Sequence, residues 1–254
     1  MANAKVSLGE TPVARIGLGT NRLADTPENV AFIREAVAAG VGMIDTAHVY
    51  AGGESEATIG AALSGSSGGC VVATKGGYGD ARPDVLGGQI EESLRRLQTE
   101  IIGLYYLHKP DPGTPIEESV GVIEEHRQRG SIRYIGVSNV SLVEVERARS
   151  VAPIAAVQNH YNLGERSADD VVDFCARNDV VFVPYFPLRE KGGPAAAGIA
   201  KRHGATAHQI SLAWLLRRSP TTLPIPGTLS IEHLRENLAA LEIKLSDEEF
   251  EALR

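Results

Sequence analysis

The amino-acid sequence predicts a single α/β domain of the (β/α)8 TIM barrel class, on three observations. Short apolar segments typical of buried strands alternate with longer amphipathic segments, and this alternation repeats eight times. A strict strand–helix alternation requires a parallel sheet, because each helix returns the chain to the starting end of the next strand. The length of 254 residues is that of a closed barrel rather than of two separate cores. We therefore treat residues 1–254 as one domain.

The predicted strands are short, and each one precedes a predicted helix. The strand segments are Arg15–Gly19, Gly42–Thr46, Cys70–Lys75, Ile101–Leu107, Tyr134–Val137, Ile154–Gln158, Val180–Tyr185 and Thr222–Pro226. The helix segments are Glu28–Ala39, Glu54–Leu63, Asp84–Leu97, Ile116–Arg129, Ser141–Arg149, Ala168–Arg177, Ala207–Arg217 and Ile231–Leu241. Pro27, Pro83 and Pro115 fall where a first-turn proline is tolerated.

Four shorter features complete the predicted organisation. A small N-terminal hairpin is expected to pair Lys5–Leu8 with Pro12–Ala14. The capping-box spacing of Ser246–Glu249 predicts a short last helix. Small residues predict a loop over Ser64–Gly69, and the glycine- and proline-containing segment Arg189–Ala197 is expected to be the most flexible stretch.

Charge and composition exclude several classes of partner. The formal net charge of −7 and a pI near 5.6 leave no basic surface for nucleic acid or an anionic membrane. No apolar run is long enough to cross a membrane, and the N-terminus lacks the apolar core of a secretory signal, so we expect a cytoplasmic protein. Cys70 and Cys175 have no second thiol at a ligand or redox spacing, and we assign neither a disulfide nor a metal. We expect a monomer or a weak homo-oligomer.

Ionisable side chains stand where three successive predicted strands end. Asp45 lies at the C-terminal end of the second strand, the third strand ends in Lys75, and His108 directly follows the fourth. The carboxyl ends of barrel strands share one face, so we expect these groups to lie together, with Tyr50 beside them. Taken singly, each has an ordinary structural explanation as a turn former, an edge lysine or a hydrogen-bonded histidine. Their recurrence at one end of adjacent strands favours an active site.

This combination of groups suits proton transfer by a phenol. A free tyrosine has a pKa of about 10, too high for ready proton exchange at neutral pH. A lysine cation about 4 Å away stabilises the phenolate by about 4 kcal/mol at an effective dielectric constant of about 20, or up to about three pKa units, and desolvation takes part of this back. Asp45 would keep Lys75 charged, and His108 would hydrogen-bond the substrate oxygen. The arrangement fits the reduction of a small carbonyl substrate, whose new alkoxide must be protonated.

Several motifs in order resemble those of the aldo-keto reductase family. They are Asp45-Thr46-Ala47-x-x-Tyr50, Lys75, His108-Lys109-Pro110-Asp111, the segment from Gly130 to Asn139, and Ile225-Pro226-Gly227-Thr228. The resemblance covers almost the whole chain. It implies a (β/α)8 oxidoreductase that moves a hydride between a nicotinamide cofactor and a carbonyl. It also implies that Tyr50 is the proton donor, that Lys75 and Asp45 tune it, and that His108 orients the substrate.

The same resemblance implies contacts to the nicotinamide end of the cofactor. Ser138 and Asn139 match the family's hydrogen-bonding pair for the carboxamide, and Gln158 resembles a further carboxamide contact. Tyr185 matches the aromatic residue that stacks on the nicotinamide ring. A polar turn and a core tyrosine would explain these residues equally well if each were seen alone.

The phosphate end departs from the family pattern. NADP-specific relatives commonly place a lysine and an arginine where this chain has Gly227 and His233, which removes two contacts of about 1.5–3 kcal/mol each. Thr228 opens the last helix region, where backbone N–H groups favour an anion, and Glu236 with Asn237 occupies the adenine-contacting positions. No acidic residue replaces the lysine to repel a phosphate. We therefore expect NADP as the cofactor, with NADPH preferred over NADH by a reduced margin.

A dinucleotide-binding Gly-x-Gly-x-x-Gly fingerprint is absent, because Gly17 and Gly19 are followed by Arg22 where the third glycine would stand. Two other functions stay open. One is a barrel isomerase or aldolase that uses Lys75, and the other is a cofactor-binding sensor or accessory subunit with little turnover. Short connections after the fourth and seventh strands, and the lack of a long C-terminal tail, predict a shallow substrate site.

Overall fold

A seven-stranded parallel sheet forms the centre of the computed structural model, which describes residues 4–65, 69–190 and 192–253. Its strands follow one another in sequence order. They are β3 (Leu18–Gly19), β4 (Met43–Asp45), β5 (Val71–Gly76), β6 (Ile102–Leu107), β7 (Ile132–Ser138), β8 (Ile154–His160) and β9 (Val181–Tyr185). The predicted N-terminal hairpin is present as the antiparallel pair β1 (Lys5–Leu8) and β2 (Thr11–Ala14).

The predicted eighth strand closes the barrel without forming a regular ladder. Thr222–Pro226 lies between β9 and β3, with single bridges on each side. Leu223 N donates to Phe182 O at 2.8 Å, and Gly19 N donates to Pro226 O at 3.2 Å. Pro224 and Pro226 accept hydrogen bonds from Gly17 N and Gly19 N but have no N–H to donate, so the pairing of this segment with the first strand lacks donors. The (β/α)8 barrel predicted from the sequence is therefore confirmed, with an irregular eighth strand.

The predicted first strand, Arg15–Gly19, is shorter than expected. Arg15 N bonds instead to Ala4 O at 3.0 Å. The Arg15 side chain is buried, and its guanidinium donates to Ser219 O at 2.6 Å and to Thr222 O at 3.1 Å. This burial lowers the pKa of Arg15 to about 10. Arg15 thus joins the hairpin to the start of the eighth strand, and only Leu18–Gly19 pair with β4.

The helices follow the predicted bounds closely. They are α1 (Pro27–Ala38), α2 (Glu54–Leu63), α3 (Pro83–Arg96), α4 (Ile116–Gln128), α5 (Leu142–Arg149), α6 (Asp169–Arg177), α7 (Gly193–His203), α8 (Ala207–Arg218), α9 (Ile231–Ala239) and α10 (Asp247–Ala252). Pro27 and Pro83 occupy first turns as expected, whereas Pro115 is the N-cap of α4. The predicted capping box of the last helix is present, with Ser246 as N-cap and Glu249 closing it.

Helix α7 begins within Arg189–Ala197, the segment expected to be the most flexible stretch, and the flexibility of that segment stays a prediction. The helix begins at Gly193 inside that segment, has a proline in its first turn, and ends at Gly204 in a left-handed C-cap. Lys191, and positions 66–68 of the predicted Ser64–Gly69 loop, lie outside the described residues.

Apolar side chains form one layer inside the barrel and another between the sheet and the helices. Leu104 and Tyr106 of β6 point into the barrel, where they share a cluster with Val6, Leu8 and Val13 of the hairpin. The hairpin therefore closes the end of the barrel opposite the strand C-termini. That leaves the C-terminal face as the accessible end, which is the functional face of such barrels.

Both cysteines are buried and free, and burial raises the pKa of each thiol to about 12. Cys70 and Cys175 are therefore small residues of the core. Within the described ranges, no helix has the length and hydropathy needed to span a membrane.

Candidate active site

A cavity of about 830 Å³ opens at the C-terminal ends of the strands. Asp45, Tyr50 and His108 line it, and Lys75 lies directly behind Asp45. The four residues predicted for the chemistry are thus brought together by the ends of β4, β5 and β6. Their common position follows from parallel strands whose carboxyl ends meet on one face.

Lys75 and Asp45 form a buried ion pair. Lys75 Nζ donates to Asp45 Oδ1 at 2.5 Å and to Thr46 O at 2.7 Å, and neither charged side chain is more than 2% exposed. Gln158 Nε2 donates to the other carboxylate oxygen, Asp45 Oδ2, at 2.8 Å. Burial favours the neutral amine, but the nearby Asp45 carboxylate and Tyr50 outweigh it and raise the pKa of Lys75. Lys75 is therefore a fixed cation at neutral pH.

Tyr50 sits at the start of a 3-10 turn, with its ring centroid 5.0 Å from Lys75 Nζ. Burial raises the pKa of Tyr50 above its usual value, and this effect exceeds the opposing field of the Lys75 cation. The expectation of a lowered pKa is therefore wrong, because desolvation of the phenolate outweighs the stabilisation by Lys75. The consequence is a protonated phenol at neutral pH, which is the form that an acid requires.

His108 is held as a neutral imidazole. Burial, assisted by the Lys75 cation, lowers the pKa of His108 to about 3. Its Nδ1 is buried and has no hydrogen-bond partner within the described part of the chain. The ring packs between Tyr50, at a centroid distance of 5.9 Å, and Tyr78, at 4.9 Å. A neutral imidazole has one donor and one acceptor nitrogen, and it suits a hydrogen bond to a substrate oxygen better than transfer of its own proton.

This shifted pKa makes stability depend on pH. The folded-state pKa of His108, about 3, lies below the usual value near 6.5, so between these values the unfolded chain binds the proton and the folded chain does not. We expect His108 to reduce the free energy of unfolding by up to about 1.4 kcal/mol per pH unit as pH falls through this window. The His108→Asn variant should show a shallower slope in urea unfolding between about pH 6.5 and about pH 4. Parallel curves for the two proteins would contradict the neutral assignment.

Ser138, Asn139 and Tyr185 form a polar edge along the same cavity. Asn139 adopts a left-handed backbone with φ 58°, and its amide donates to His108 O at 3.0 Å and to Ser138 Oγ at 3.1 Å. Tyr185 OH donates to Asn139 Oδ1 at 2.7 Å. The Tyr185 ring stacks on His160 at 5.3 Å with an interplanar angle of 8°. One ring face is therefore covered, and the ring can offer only its other face to a flat ligand.

The remaining predicted cofactor residues divide into two groups. Gly227 lines the cavity, whereas the residues of the last helix region do not. Helix α9 begins at Ile231, three positions after Thr228, and its N-cap is Ser230. Glu236 accepts a hydrogen bond from the Thr206 hydroxyl at 2.6 Å and so faces the N-terminus of α8. Like Glu236, three further predicted residues do not line the cavity, namely Thr228, His233 and Asn237.

Sequence reasoning missed two aromatic side chains of the cavity wall. Tyr78 is 59% exposed and Phe186 is 47% exposed, so a large part of each ring remains available for contact. The signal for Tyr78 was its place between Gly77 and Gly79, just after the strand that ends with Lys75. Phe186 has an unusual backbone φ of 50°, which the sequence does not reveal. Across the described ranges, no cluster of three or more His, Cys, Asp or Glu residues could hold a metal.

Comparisons with known proteins agree with this geometry. The model of the Aldo/keto reductase family matches residues 15–193 and 189–254. Pyridoxine 4-dehydrogenase of Escherichia coli K12 is 36% identical over an alignment of 279 positions. The alignment covers 98% of this chain and 96% of that protein. An uncharacterised oxidoreductase of Schizosaccharomyces pombe is 32% identical over an alignment of 270 positions, which covers 98% of this chain and 88% of that protein.

Solved structures show the same fold. A thermostable aldo-keto reductase in complex with the inhibitor epalrestat has 39% identity and a TM-score of 0.92, with 98% of each chain covered. An aldo/keto reductase of Klebsiella pneumoniae in complex with NADP and acetate has 32% identity and a TM-score of 0.90, covering 99% of this chain and 94% of that one. Motifs, barrel, strand-end cluster and comparisons all agree, and the chain belongs to the aldo/keto reductase family.

Proposed function

We propose that this protein reduces aldehydes or ketones to alcohols with a nicotinamide cofactor, and that Tyr50 donates the proton. The observation that carries the proposal is a tyrosine beside a buried lysine–carboxylate pair, at a cavity that a histidine also lines. The similar aldo/keto reductase of Klebsiella pneumoniae in complex with NADP supports a nicotinamide cofactor.

The residues present fit such a cofactor. Tyr185 has one face covered by His160, and it lines the cavity with the polar groups of Ser138 and Asn139, a surface suited to a flat ring that carries an amide. Gln158 also lines the cavity, although its Nε2 is already bonded to Asp45. When bound, the cofactor would supply the hydride to the carbonyl carbon. The contacts at the other end of the cofactor are also proposals. The phosphate would lie near Gly227, Thr228 and His233, and the adenine near Glu236 and Asn237.

Each residue of the cluster has a separate task. Tyr50 transfers its hydroxyl proton to the carbonyl oxygen as that oxygen gains negative charge, and the phenolate later recovers a proton from water. The Lys75 cation stabilises the phenolate at the moment it forms, and Asp45 keeps that cation in place. His108 holds the carbonyl oxygen with a hydrogen bond from its neutral ring. Gln158 donates a hydrogen bond to Asp45 Oδ2 and so holds the carboxylate in the orientation in which Oδ1 faces Lys75.

An assay of NADPH oxidation with a panel of aldehydes and ketones tests the proposal. Turnover that requires both cofactor and carbonyl is expected, whereas cofactor binding without turnover would favour a sensor or accessory subunit. An aldolase would form an adduct on Lys75 that borohydride traps. The ionised state of Lys75 argues against that route, since Schiff-base formation needs a neutral amine.

The substrate range should be broad and shifted toward small or activated carbonyl compounds. The rings of Tyr78 and Phe186 line the cavity but stay largely open to solvent, so the wall at this side encloses a substrate only in part and selects weakly for its size. We expect small aldehydes, ketoacids, diketones or quinones to react with KM values of about 1 mM, at the weak end of the usual range. One bulky substrate with a micromolar KM, combined with inert small aldehydes, would contradict this.

Cofactor preference should favour NADPH by a modest margin. Position 227 is a glycine and position 233 a histidine, so fixed cations are missing there, while the N-terminus of α9 still carries the positive end of the helix dipole. The ratio of kcat/KM for NADPH over NADH measures this margin, and the His233→Ala variant tests whether this side chain contacts the phosphate. A preference for NADH would refute the expectation.

A further inference from the structure

The backbone just after Tyr50 adopts an unfavourable conformation. Immediately after Tyr50, three consecutive residues have positive φ angles, which are 49° at Ala51, 64° at Gly52 and 101° at Gly53. A left-handed alanine is strained, and a conformation of this kind persists only where its surroundings hold it. The segment His48–Gly53, called here the Tyr50 loop, therefore depends on contacts outside itself.

On its inner side the Tyr50 loop is held by β5. His48 N donates to Lys75 O at 2.9 Å, and Thr46 O, just before the loop, accepts from Lys75 Nζ at 2.7 Å. These bonds fix the first residue of the loop to the strand that carries Lys75. They do not reach the residues that follow Tyr50.

Arg96 supports the outer side. It is the last residue of α3, and its Nη1 donates to His48 O at 3.0 Å. The guanidinium also lies directly against Gly53, since a Cβ placed there would be only 2.3 Å from Arg96 Cζ. One planar side chain thus contacts both ends of the Tyr50 loop.

Two carboxylates fix the guanidinium in turn. Glu56 is fully buried and accepts from Arg96 Nη1 at 3.3 Å and from Thr74 Oγ1 at 2.6 Å. Thr74 is the residue before Lys75, so Glu56 connects Arg96 to the lysine strand. Glu92 accepts from Arg96 Nη2 at 2.6 Å through one oxygen and from His48 Nε2 at 2.8 Å through the other.

We propose that Arg96 is a positioning residue for Tyr50, and that it keeps the phenol at its productive distance from Lys75 by bracing the Tyr50 loop against Glu56 and Glu92. This inference rests on the proposed role of Tyr50 as proton donor. Arg96 touches neither the cavity nor the reacting groups. Its effect is on the placement of the proton that Tyr50 transfers, and a displacement of about 1 Å is enough to cost about 10²-fold in rate.

The decisive experiment is a double-mutant cycle between Arg96→Ala and Tyr50→Phe. Arg96→Ala alone should lower kcat by about 10²-fold, while the affinity for NADPH in a fluorescence titration stays near that of the unmodified protein. In the Tyr50→Phe background the same Arg96→Ala change should have almost no further effect on kcat, because the proton donor is already absent. Millimolar guanidinium should restore part of the kcat of Arg96→Ala and none in the double variant.

Arg96→Lys serves as a second variant that keeps a positive charge opposite Glu56. A lysine has a single nitrogen and cannot bridge Glu56, Glu92 and the His48 carbonyl together, so an intermediate loss of kcat is expected. Arg218→Ala provides a matched control. Arg218 is also a partly buried arginine shared by two carboxylates, Asp169 and Asp173, and its partners do not line the cavity. This control should lower the melting temperature and leave kcat unchanged.

Two results would overturn the inference. One is an unchanged kcat in a folded Arg96→Ala or Arg96→Lys protein. The other is an equal fold-loss of kcat on Arg96→Ala in the unmodified and the Tyr50→Phe backgrounds, which would mean that Arg96 acts through another group. The Tyr50→Phe protein tests the proposed function by itself. High residual activity in this variant would refute Tyr50 as the proton donor, independently of the results for the Arg96 variants.

Discussion

Replacing Tyr50 by phenylalanine is expected to lower kcat for carbonyl reduction by about 10²–10⁴-fold, the range found when a general acid is lost. The substitution removes only the hydroxyl group. The ring that packs against His108 at 5.9 Å and lies 5.0 Å from the Lys75 ammonium is retained. Folding and cofactor binding should therefore change little, and the loss should appear in kcat.

The measurement is steady-state kinetics with a reactive small aldehyde, together with an NADPH titration of the same preparation. Tyr78→Phe is the matched control, because it removes a phenol from the same wall of the cavity but leaves the strand-end cluster intact. We expect this control to retain most of the activity. Residual kcat above about a tenth of the original in Tyr50→Phe would be incompatible with a general acid at this position.

Replacing Asp45 by asparagine is expected to destabilise the protein by about 3–5 kcal/mol, the cost of leaving a buried charge without its partner. Lys75 is fully buried and Asp45 is its only carboxylate within hydrogen-bond distance among the described residues. Asparagine has almost the same shape, so little packing is lost and the electrostatic term dominates. The kcat should fall too, because a lysine that loses its charge no longer stabilises the Tyr50 phenolate.

Chemical denaturation at neutral pH tests this prediction. Without Asp45, burial lowers the pKa of Lys75 below that of the unfolded chain, so the variant should regain stability as pH rises and the amine loses its proton. Asp80→Asn is the control, since the Asp80–Arg82 pair is 41% and 59% exposed and should contribute little. Equal losses in the two variants would show that the buried pair has no special importance.

The expected effects of these two substitutions differ in kind. Tyr50 lies at the cavity, so we expect its substitution to change the chemistry, whereas Asp45 is held between Lys75 and Gln158, so we expect its substitution to affect both stability and turnover. A site of this type relies on preorganised charge, and its most buried members cannot be changed without a cost in stability.

Periodicity and turn chemistry were sufficient to predict the barrel and nearly all of its helices. Helix α2 begins and ends at the predicted residues, and Ser246 caps the last helix as its spacing indicated. The placement of Asp45, Lys75 and His108 at one end of the barrel also followed from sequence, because strand ends in a parallel barrel share one face. These are local properties or direct consequences of topology.

Other features depended on which groups meet across the fold. The sequence predicted a strand at Thr222–Pro226, but its irregular pairing with β9 and β3 became evident only in the folded barrel. The raised pKa of Tyr50 and the neutral state of His108 depend on burial, and many residues distant in the sequence together produce that burial. The contact of Arg96 with the Tyr50 loop joins positions more than 40 residues apart. Sequence alone determined the family, the barrel and the chemical groups at its mouth, whereas the tertiary structure decided their protonation and their support, because desolvation and long-range hydrogen bonds exist only after the chain has packed.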